Sequence, residues 1–442
     1  MLTRVALISL HASPLDRAGQ SNAGGANVYV RELSLALARQ DLQVDIFTRR
    51  ADATTPDVVE LGPGVRVVLV DAGPLEPLPP DDLLPFVPLF TAGVIGFAGF
   101  GLHRRDPGPD GGDGPQRRPY DVVHSHYWLS GLAALRLRRR WGVPAVHMFH
   151  TLAQVKRRVA GIWSAPDQRR ALLEQEVLRG MDAIVAANAL EAAQLRELYD
   201  APHARIHAIP CGVDLGLFAP RDRVAARETL DLGPPSPLSR EAEAPIVLAA
   251  ARIEPLKNLE TAVRATALLA GLGVPDARLV VAGGPVTGPS GAREMEHLRA
   301  TAAAHSMAGH VRFVGSVTQD QLPLYMAAAD AVVVPSLHES FGMVALEALA
   351  CGRPVVASAA GGLQLTVHDG ENGYLAPARD APAFAARLAT ILSNPVLSRR
   401  MSLAARRSAE PYGWDVIADR VRCLYEAVGY QRSAASYRPS AH

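Results

Sequence analysis

The chain has 442 residues, which exceeds the ~100 to 200 residues of a typical domain, so we expect two domains. Hydrophobic residues make up 48% of the chain and charged residues 20%, a composition typical of globular proteins that bury sizeable cores. The 45 basic and 44 acidic residues leave a formal net charge of +1, and this balance gives no electrostatic reason to expect a nucleic-acid partner.

The first predicted element is a buried strand, VALISL, near the N-terminus. Its apolar run is about six residues, shorter than the ~7 to 15 of a secretory signal, so we interpret it as a strand. Short apolar runs then alternate with helical patterns: VDIFTR, VRVVLV, DVVHSH, AVHMFH, AIVAAN, RIHAIP, IVLAAARI, RLVVAGG, VRFVG, AVVVPS and PVVAS. Continuous apolar strands separated by helices predict an α/β protein with two doubly wound, Rossmann-like parallel sheets that face each other across a cleft.

A charge-free segment, LLPFVPLFTAGVIGFAGFGL, runs from Leu83 to Leu102 and has about the length of a membrane span. Prolines at positions 85 and 88 and several glycines make it a poor continuous helix facing lipid. Two interpretations stay open for residues 83–102: an apolar helix packed beside a binding cleft, or a peripheral contact with a membrane.

A proline-rich stretch, LGPPSPLSREAEAP, indicates a domain boundary after IPCGVDLGLFAP. We predict an N-terminal domain over residues 1–216 and a C-terminal domain over residues 217–412. The pattern PYGWDVIADRVRCLYEAVGY predicts a closing helix over residues 413–430 that packs back towards the N-terminal domain. Residues 431–442 are predicted to be a flexible tail.

Two glutamates, Glu339 and Glu347, follow the predicted strand AVVVPS in HESFGMVALEALACG. Ligands of open parallel sheets bind beyond the carboxyl ends of the strands. A helix is predicted to start near Phe341, and its first amides suit a phosphate. Carboxylates accept hydrogen bonds from sugar hydroxyls. Alternatively, Glu339 interacts with the helix dipole and Glu347 is a solvated helix residue, and this stretch alone leaves both interpretations open.

Two cations, Arg252 and Lys257, follow the predicted strand IVLAAARI and precede a helix. Arginine offers a bidentate fork and lysine a point charge, which together suit a diphosphate whose negative charge grows as a bond to it breaks. A lone Arg–Lys pair is more often a surface feature, but the position at a strand end favours a functional role.

Polar and glycine residues also follow the strands of the first half. Gly24 and Gly25 open a helix in SNAGGANVYV, although the pattern is not the dinucleotide fingerprint GxGxxG. Two more loops, HSHYWLSG and HTLAQVKRR, place six polar residues at strand ends: His124, His126, Tyr127, His150, Thr151 and Lys156. The convergence of these loops predicts a functional site.

The predicted site contains no recognisable metal-binding pattern. His124 and His126 have the spacing of metal ligands on a strand, but no carboxylate or cysteine accompanies them. Cys211, Cys351 and Cys423 lie far apart, and the chain has no Asp-x-Asp triplet. We therefore expect no metal, no cofactor and no disulfide framework, and the cysteine usage fits a reducing cytoplasm.

Taken together, these residues resemble the retaining glycosyltransferases of GT-B fold, family four, over nearly the whole chain. Seven residues separate Glu339 from Glu347, as in that family's paired-glutamate motif. HASPL, GGANVYV, HSHYWLSG and HTLAQVK look most like the members that transfer N-acetylglucosamine to D-inositol 3-phosphate for mycothiol synthesis, followed by sucrose-phosphate synthases. The resemblance implies a metal-independent transfer from a nucleotide sugar, with UDP favoured, to a small sugar or polyol. A lipid-linked acceptor and an epimerase reaction are the alternatives.

The resemblance also implies individual roles. Arg252 and Lys257 would neutralise the donor diphosphate, while Glu339 would hold sugar hydroxyls and His150 would line the reacting sugar. Glu347 would bind the nucleotide ribose. The remaining donor-binding positions would be Gly24, Gly25, Ser316, Val317, Gly342, Met343 and Val344. The acceptor-binding positions would be Asn27, Tyr127, Thr151 and Arg169.

The match departs from the family's pattern at two positions. Pro80 stands where related enzymes have a lysine for the acceptor phosphate, and Asn22 stands where they have an aspartate. A phosphate site that lacks one cation binds less tightly, so an unphosphorylated sugar or a lipid-linked acceptor is an alternative to a phosphorylated one. The family's front-face mechanism needs no protein nucleophile, because the leaving diphosphate accepts the proton of the acceptor hydroxyl.

Overall fold

The computed structural model describes residues 2–16, 24–103, 118–161, 163–232, 244–286 and 288–436. The chain divides into two compact units. One comprises Met1–Leu15, Ala26–Pro210 and Trp414–His442, and the other comprises Asp16–Gly25 and Cys211–Gly413. Each unit is built around a sheet with helices on it, which confirms the predicted fold class of two parallel-sheet α/β units.

The first unit contains an eight-stranded sheet. Its strands are β1 Arg4–Ile8, β2 Gln43–Arg49, β3 Val58–Gly62, β4 Val65–Val70, β5 Val122–His126, β6 Ala145–Met148, β7 Ala183–Ala186 and β8 Ile206–Ala208. Their order is β3-β4-β2-β1-β5-β6-β7-β8, and the β3/β4 pair is antiparallel whereas the other pairs are parallel. Strands β2 to β4 lie on one side of β1 and strands β5 to β8 lie on the other, so the topological switch point of the sheet lies between β1 and β5. Loops at such a switch point form ligand sites.

The second unit contains a six-stranded parallel sheet. Its strands are β9 Ile246–Ala250, β10 Arg278–Ala282, β11 Val311–Gly315, β12 Ala331–Val334, β13 Val355–Ser358 and β14 Gly373–Ala376. Their order is β11-β10-β9-β12-β13-β14. The switch point of this sheet lies between β9 and β12, which are the strands that precede Arg252 and Glu339.

Fifteen α-helices are described. They are α1 Gly25–Ala38, α2 Val87–His103, α3 Trp128–Trp141, α4 Ala153–Ala160, α5 Ala165–Gly180, α6 Ala189–Tyr199, α7 Arg223–Thr229, α8 Leu259–Leu268, α9 Pro289–Ala304, α10 Leu322–Ala328, α11 Met343–Ala350, α12 Leu363–Thr366, α13 Ala381–Leu392, α14 Pro395–Ala409 and α15 Trp414–Ser436. The strand interiors are almost fully buried, as expected for sheets covered on both faces.

The apolar segment 83–102 forms a 3-10 helix, Pro80–Phe86, followed by α2. One side of α2 is buried in the core of the first unit through Val87, Phe90 and Val94, whereas Leu89 is 54% exposed. Among the described residues, Pro80–Gly99 is long and apolar enough to cross a membrane by length and composition, and 33% of that stretch is buried. Core packing therefore accounts for one face of the segment, and membrane contact stays a prediction.

The closing helix is α15, and it packs within the first unit. Trp414 and Tyr425 are buried there, with the Trp414 ring centroid 5.4 Å from that of Tyr29. The helix runs to Ser436 and so includes the first part of the predicted tail. Residues 437–442 lie outside the described residues.

Candidate active site

An ion pair joins the loops that follow β9 and β12 in the second unit. Lys257 Nζ lies 2.5 Å from Glu339 Oε1, and Ser336 Oγ donates to the same oxygen at 2.9 Å. Burial acts to raise the pKa of Glu339, but the lysine charge and the two hydrogen bonds outweigh burial and lower it. Glu339 is therefore an ionised acceptor, held by the cation predicted to bind a diphosphate.

The second predicted cation, Arg252, also has a carboxylate partner. Its Nη2 donates to Glu254 Oε1 at 3.1 Å, and the arginine side chain is 43% exposed. Arg252 and Lys257 thus leave the same strand end, as the sequence predicted, and both are paired with carboxylates of this chain. The pairings with Glu254 and Glu339 were not foreseen, because sequence spacing does not identify side-chain partners.

The helix predicted to start near Phe341 is α11, and it begins at Met343. Its N-cap, Gly342, has φ 92°, and a Cβ atom there would lie 2.6 Å from Leu363 Cδ2. Only glycine fits this position without displacing Leu363. The first-turn amides of an α-helix, here including those of Met343 and Val344, have no acceptor within the helix, so they can receive an anion.

Glu347 is buried on α11, with 6% exposure. Gln319 Nε2 donates to its Oε1 at 2.8 Å. Burial raises the pKa of Glu347 to about 7, although the Gln319 hydrogen bond opposes this shift. The interpretation of Glu347 as a solvated helix residue is therefore wrong. Sequence reasoning missed Gln319, although it lies in the loop after β11 that also contains Ser316 and Val317.

Gly24 precedes α1 and Gly25 is its first residue, and both belong to the second unit. A Cβ atom on Gly25 would lie 3.1 Å from Met343 Sδ, whereas one on Gly24 would have no atom within 4 Å. Gly25 therefore approaches the first residue of α11. Asn22, which departs from the family's pattern, lies outside the described residues.

In the first unit, an arginine joins the loop after β6 to α5, but it is not the predicted one. Arg169 is exposed. Its neighbour Arg170 is 8% exposed and donates through Nη2 to Thr151 Oγ1 at 3.0 Å. It also donates through Nε to Glu174 Oε1 at 2.7 Å, and its guanidinium lies 4.8 Å from the Tyr127 ring centroid. One step along a helix turns a side chain by about 100°, which separates the two arginines.

Asn27 and His11 complete this group of residues. Asn27 is buried on α1, and its Nδ2 donates to the main-chain oxygen of Ser13 at 2.8 Å. His11 follows β1, and its ring centroid lies 4.2 Å from that of Tyr127. Sequence reasoning did not select His11, although it stands in the quoted HASPL stretch. The Tyr127 ring therefore contacts both the His11 imidazole and the Arg170 guanidinium.

His150 follows β6 with a left-handed backbone, φ 61°, which is uncommon for a residue other than glycine. Its Nε2 lies 3.1 Å from His126 Nδ1. Burial lowers the pKa of His150 to about 4, so the imidazole is neutral at pH 7. Across the described parts of the chain, no group of three or more His, Cys, Asp or Glu residues is placed to hold a metal ion.

The two groups of residues have complementary chemistry. The second unit offers two cations, a helix N-terminus, the partly exposed carboxylate of Glu339 and the buried carboxylate of Glu347, which suit a diphosphate that bears hydroxylated groups. The first unit offers a hydroxyl, an arginine and neutral imidazoles, which suit a polyol. A donor that bears a diphosphate and a polyol acceptor are the two substrates of a glycosyl transfer, so the residues fit that class of enzyme, whereas the fold alone does not define a function.

Comparisons with known proteins show the family. Residues 24–212 match the model described as "Glycosyl transferase 4-like domain", and residues 236–408 match "Glycosyl transferases group 1". The chain is 40% identical over 440 residues to the D-inositol 3-phosphate glycosyltransferase of Xylanimonas cellulosilytica, covering 98% of each chain. The chain belongs to this glycosyltransferase family, which confirms the predicted family and enzyme class.

Solved structures show the same fold. A sucrose-phosphate synthase from Thermosynechococcus elongatus has a TM-score of 0.84 at 34% identity, covering 97% of this chain and 100% of the other. The HepE protein of Anabaena, in complex with UDP and glucose, has a TM-score of 0.73 at 17% identity, covering 96% and 100%. These matches do not favour the epimerase or the lipid-linked acceptor.

Proposed function

We propose that the chain is a retaining, metal-independent glycosyltransferase that moves a hexosyl group from a UDP-sugar to a hydroxyl of D-inositol 3-phosphate or a closely similar polyol. The observation that most strongly supports a nucleotide-sugar donor is the ion pair between Lys257, in the loop after β9, and Glu339, in the loop after β12. The loop of Glu339 leads directly into α11, whose N-cap is Gly342. The names of the relatives support the acceptor.

The donor half of the reaction follows from charge. A diphosphate brings negative charge to Lys257 and Arg252, each of which pairs with one carboxylate of the chain. As the diphosphate binds, Glu339 exchanges part of its lysine contact for hydroxyls of the donor sugar. Glu347 accepts hydrogen bonds from the ribose, and the main chain of the Gly315–Val317 loop reads the base.

The chemical step needs no nucleophile from the protein. The bond from the anomeric carbon to the diphosphate oxygen breaks, and the acceptor oxygen bonds to the same face of that carbon. The acceptor proton passes to the leaving diphosphate. Negative charge therefore grows on the diphosphate in the transition state, where Lys257, Arg252 and the α11 amides stabilise it.

The acceptor half uses the residues around Tyr127 and Thr151. We assign the acceptor phosphate to Arg170 instead of Arg169, because Arg170 is the arginine that contacts both Tyr127 and Thr151. Asn27 holds the loop after β1 at this site. With Pro80 in place of a lysine, one cation fewer is present, so we expect weaker selection for a phosphorylated acceptor.

Two further proposals concern the surroundings of the enzyme. Cys211, Cys351 and Cys423, all among the described residues, form no disulfide, which supports a reducing, cytoplasmic location. The exposed apolar residue Leu89 on α2 is the feature that a peripheral membrane contact would use.

The test is a crossed assay of purified full-length chain. UDP-N-acetylglucosamine, UDP-glucose and a GDP-sugar are each incubated with D-inositol 3-phosphate, inositol or fructose 6-phosphate, and products are identified by mass spectrometry. We expect a UDP-sugar and D-inositol 3-phosphate to give the fastest transfer, with α-configured product by NMR and unchanged rates in EDTA. An inverted product, loss of activity in EDTA, or turnover of donor without any acceptor would contradict the proposal.

A further inference from the structure

A row of buried histidines lies behind His150 in the first unit. His124 and His126 end β5, and the ring centroids of these two residues are 4.4 Å apart. The ring centroids of His126 and His150 are 5.2 Å apart. Tyr29 packs against both, with centroid distances of 5.5 Å to His126 and 5.3 Å to His150. The row begins at α15, where Tyr425 Oη lies 2.7 Å from His124 Nδ1.

The contact between His126 and His150 joins two neutral rings. His126 is 1% exposed, and its Nδ1 lies 3.1 Å from His150 Nε2. Burial lowers the pKa of both imidazoles, so neither is charged at pH 7. A neutral imidazole carries one N–H, so one ring donates and the other accepts.

The second nitrogen of His126 decides which ring donates. His126 Nε2 is buried and has no hydrogen-bond partner among the described residues. A proton on Nε2 would leave a buried N–H without an acceptor, and buried N–H groups without an acceptor are rare in folded proteins. The proton of His126 therefore lies on Nδ1 and is donated to His150 Nε2. His150 must then carry its own proton on Nδ1.

We propose that His126 is a positioning residue that fixes His150 as the Nδ1–H tautomer, so that His150 meets the donor sugar as a hydrogen-bond donor. The left-handed backbone at His150 holds the ring where His126 reaches Nε2, which leaves Nδ1 as the nitrogen for a ligand. An N–H at this place donates to a sugar oxygen and cannot accept from a hydroxyl. The contact with sugar rests on the proposed function, whereas the tautomer does not.

The tautomer is measured directly. Full-length chain labelled with 15N-histidine is examined by long-range 1H–15N NMR at pH 7, and the His150 signals are assigned by their loss in His150→Gln. We expect the Nδ1–H pattern for His150 in the unsubstituted protein and in His126→Asn, whose side-chain amide still donates from near the Nδ1 position. In His126→Leu we expect the Nδ1–H form to lose its dominance.

Kinetics separate positioning from packing. We expect kcat to fall about tenfold in His126→Leu, with the acceptor KM unchanged and with recovery in His126→Asn, since one hydrogen bond is at stake. His147→Asn is the matched control, because His147 is buried on β6 and its Nδ1 contacts Ser125 Oγ at 2.8 Å. It should leave the His150 tautomer unchanged.

Three outcomes would overturn the inference. They are an Nε2–H pattern for His150 in the unsubstituted protein, an unchanged tautomer in His126→Leu, and an altered tautomer with unchanged kcat. If His126→Leu fails to fold, the unsubstituted protein and His126→Asn still decide the tautomer. If no donor and acceptor pair reacts, the proposed function fails while the NMR result stands by itself.

Discussion

Replacing Lys257 with alanine separates the two tasks that the structure gives this lysine. It pairs with Glu339 at 2.5 Å. In the reaction it is expected to stabilise the leaving diphosphate. Lys257→Ala should therefore lower both the free energy of unfolding and the rate of transfer, and Lys257→Arg, which keeps the charge, should lower both much less.

The size of each effect follows from burial and charge. Removing one partner of a fully buried ion pair costs roughly 3 to 5 kcal/mol. The Lys257 and Glu339 side chains keep 21% and 19% exposure, so the unpaired Glu339 stays partly hydrated and we expect a loss of about 2 kcal/mol in unfolding free energy. Loss of one group that stabilises transition-state charge costs about 3 kcal/mol, which corresponds to about 150-fold in kcat/KM.

The assay combines urea unfolding at pH 7.5 with initial rates for the best donor and acceptor. Lys257→Ala/Glu339→Gln removes both charges, so it should regain most of the lost stability while transfer stays slow. Arg264→Ala is the matched control on α8, where Arg264 pairs with Glu260 at an exposed position. Exposed pairs contribute about 0 to 1 kcal/mol, so this control should change little.

Full kcat/KM in Lys257→Ala would show that the lysine has no part in charge stabilisation and would refute the proposed role. Recovery of both stability and rate in the double variant would refute it as well. In that case the slow transfer of the single variant would come from unfolding alone.

Three further predictions follow from the contacts of the site. In the proposed function, ionised Glu347 accepts hydrogen bonds from the ribose, and burial raises its pKa to about 7. At pH 6 only about one tenth of this carboxylate is ionised, so the donor KM should be about tenfold higher than on its high-pH plateau. A flat pH profile, or the same profile in Glu347→Gln, contradicts this. Since that pKa is higher in the folded than in the unfolded chain, the stabilising contribution of Glu347 is complete below its unfolded pKa and is lost as pH rises through about 7. Gln319→Ala removes the side-chain hydrogen bond that lowers the pKa of Glu347. The pH at which the donor KM changes should therefore rise, with kcat unchanged. If that pH does not move, the Gln319–Glu347 contact is contradicted. Arg170→Lys should raise the acceptor KM about tenfold because lysine lacks the fork, whereas Arg169→Lys should not, and equal effects would contradict the assignment to Arg170.

Much of the candidate donor site in the second unit could be predicted from the sequence because its residues follow strand ends. The apolar runs before Arg252 and Glu339 were recognisable, and the residues that follow parallel strands gather at one edge of a sheet. The start of α11 was predicted near Phe341, and the helix begins two residues later at Met343, after its N-cap Gly342. These features depend on local patterns.

The partners of these residues could not be predicted in the same way. Lys257 and Glu339 are 82 positions apart, Gln319 and Glu347 are 28 apart, and His126 and His150 are 24 apart. Whether such residues meet depends on which strands are neighbours, and the order that places β9 beside β12 is a property of the folded sheet.

The sequence by itself determined the α/β class, the loops that bear the candidate site and the residue types available there. The reason is that strands and helices are recognised from the spacing of apolar residues along the chain, and the loops are the segments between them. Only the tertiary structure decided that Arg170 and not Arg169 contacts Thr151, that Glu347 is buried against Gln319, and that His126 reaches His150. The physical reason is that hydrogen bonding, burial and the resulting pKa values depend on distances of a few ångströms between segments far apart in the chain, which sheet packing sets.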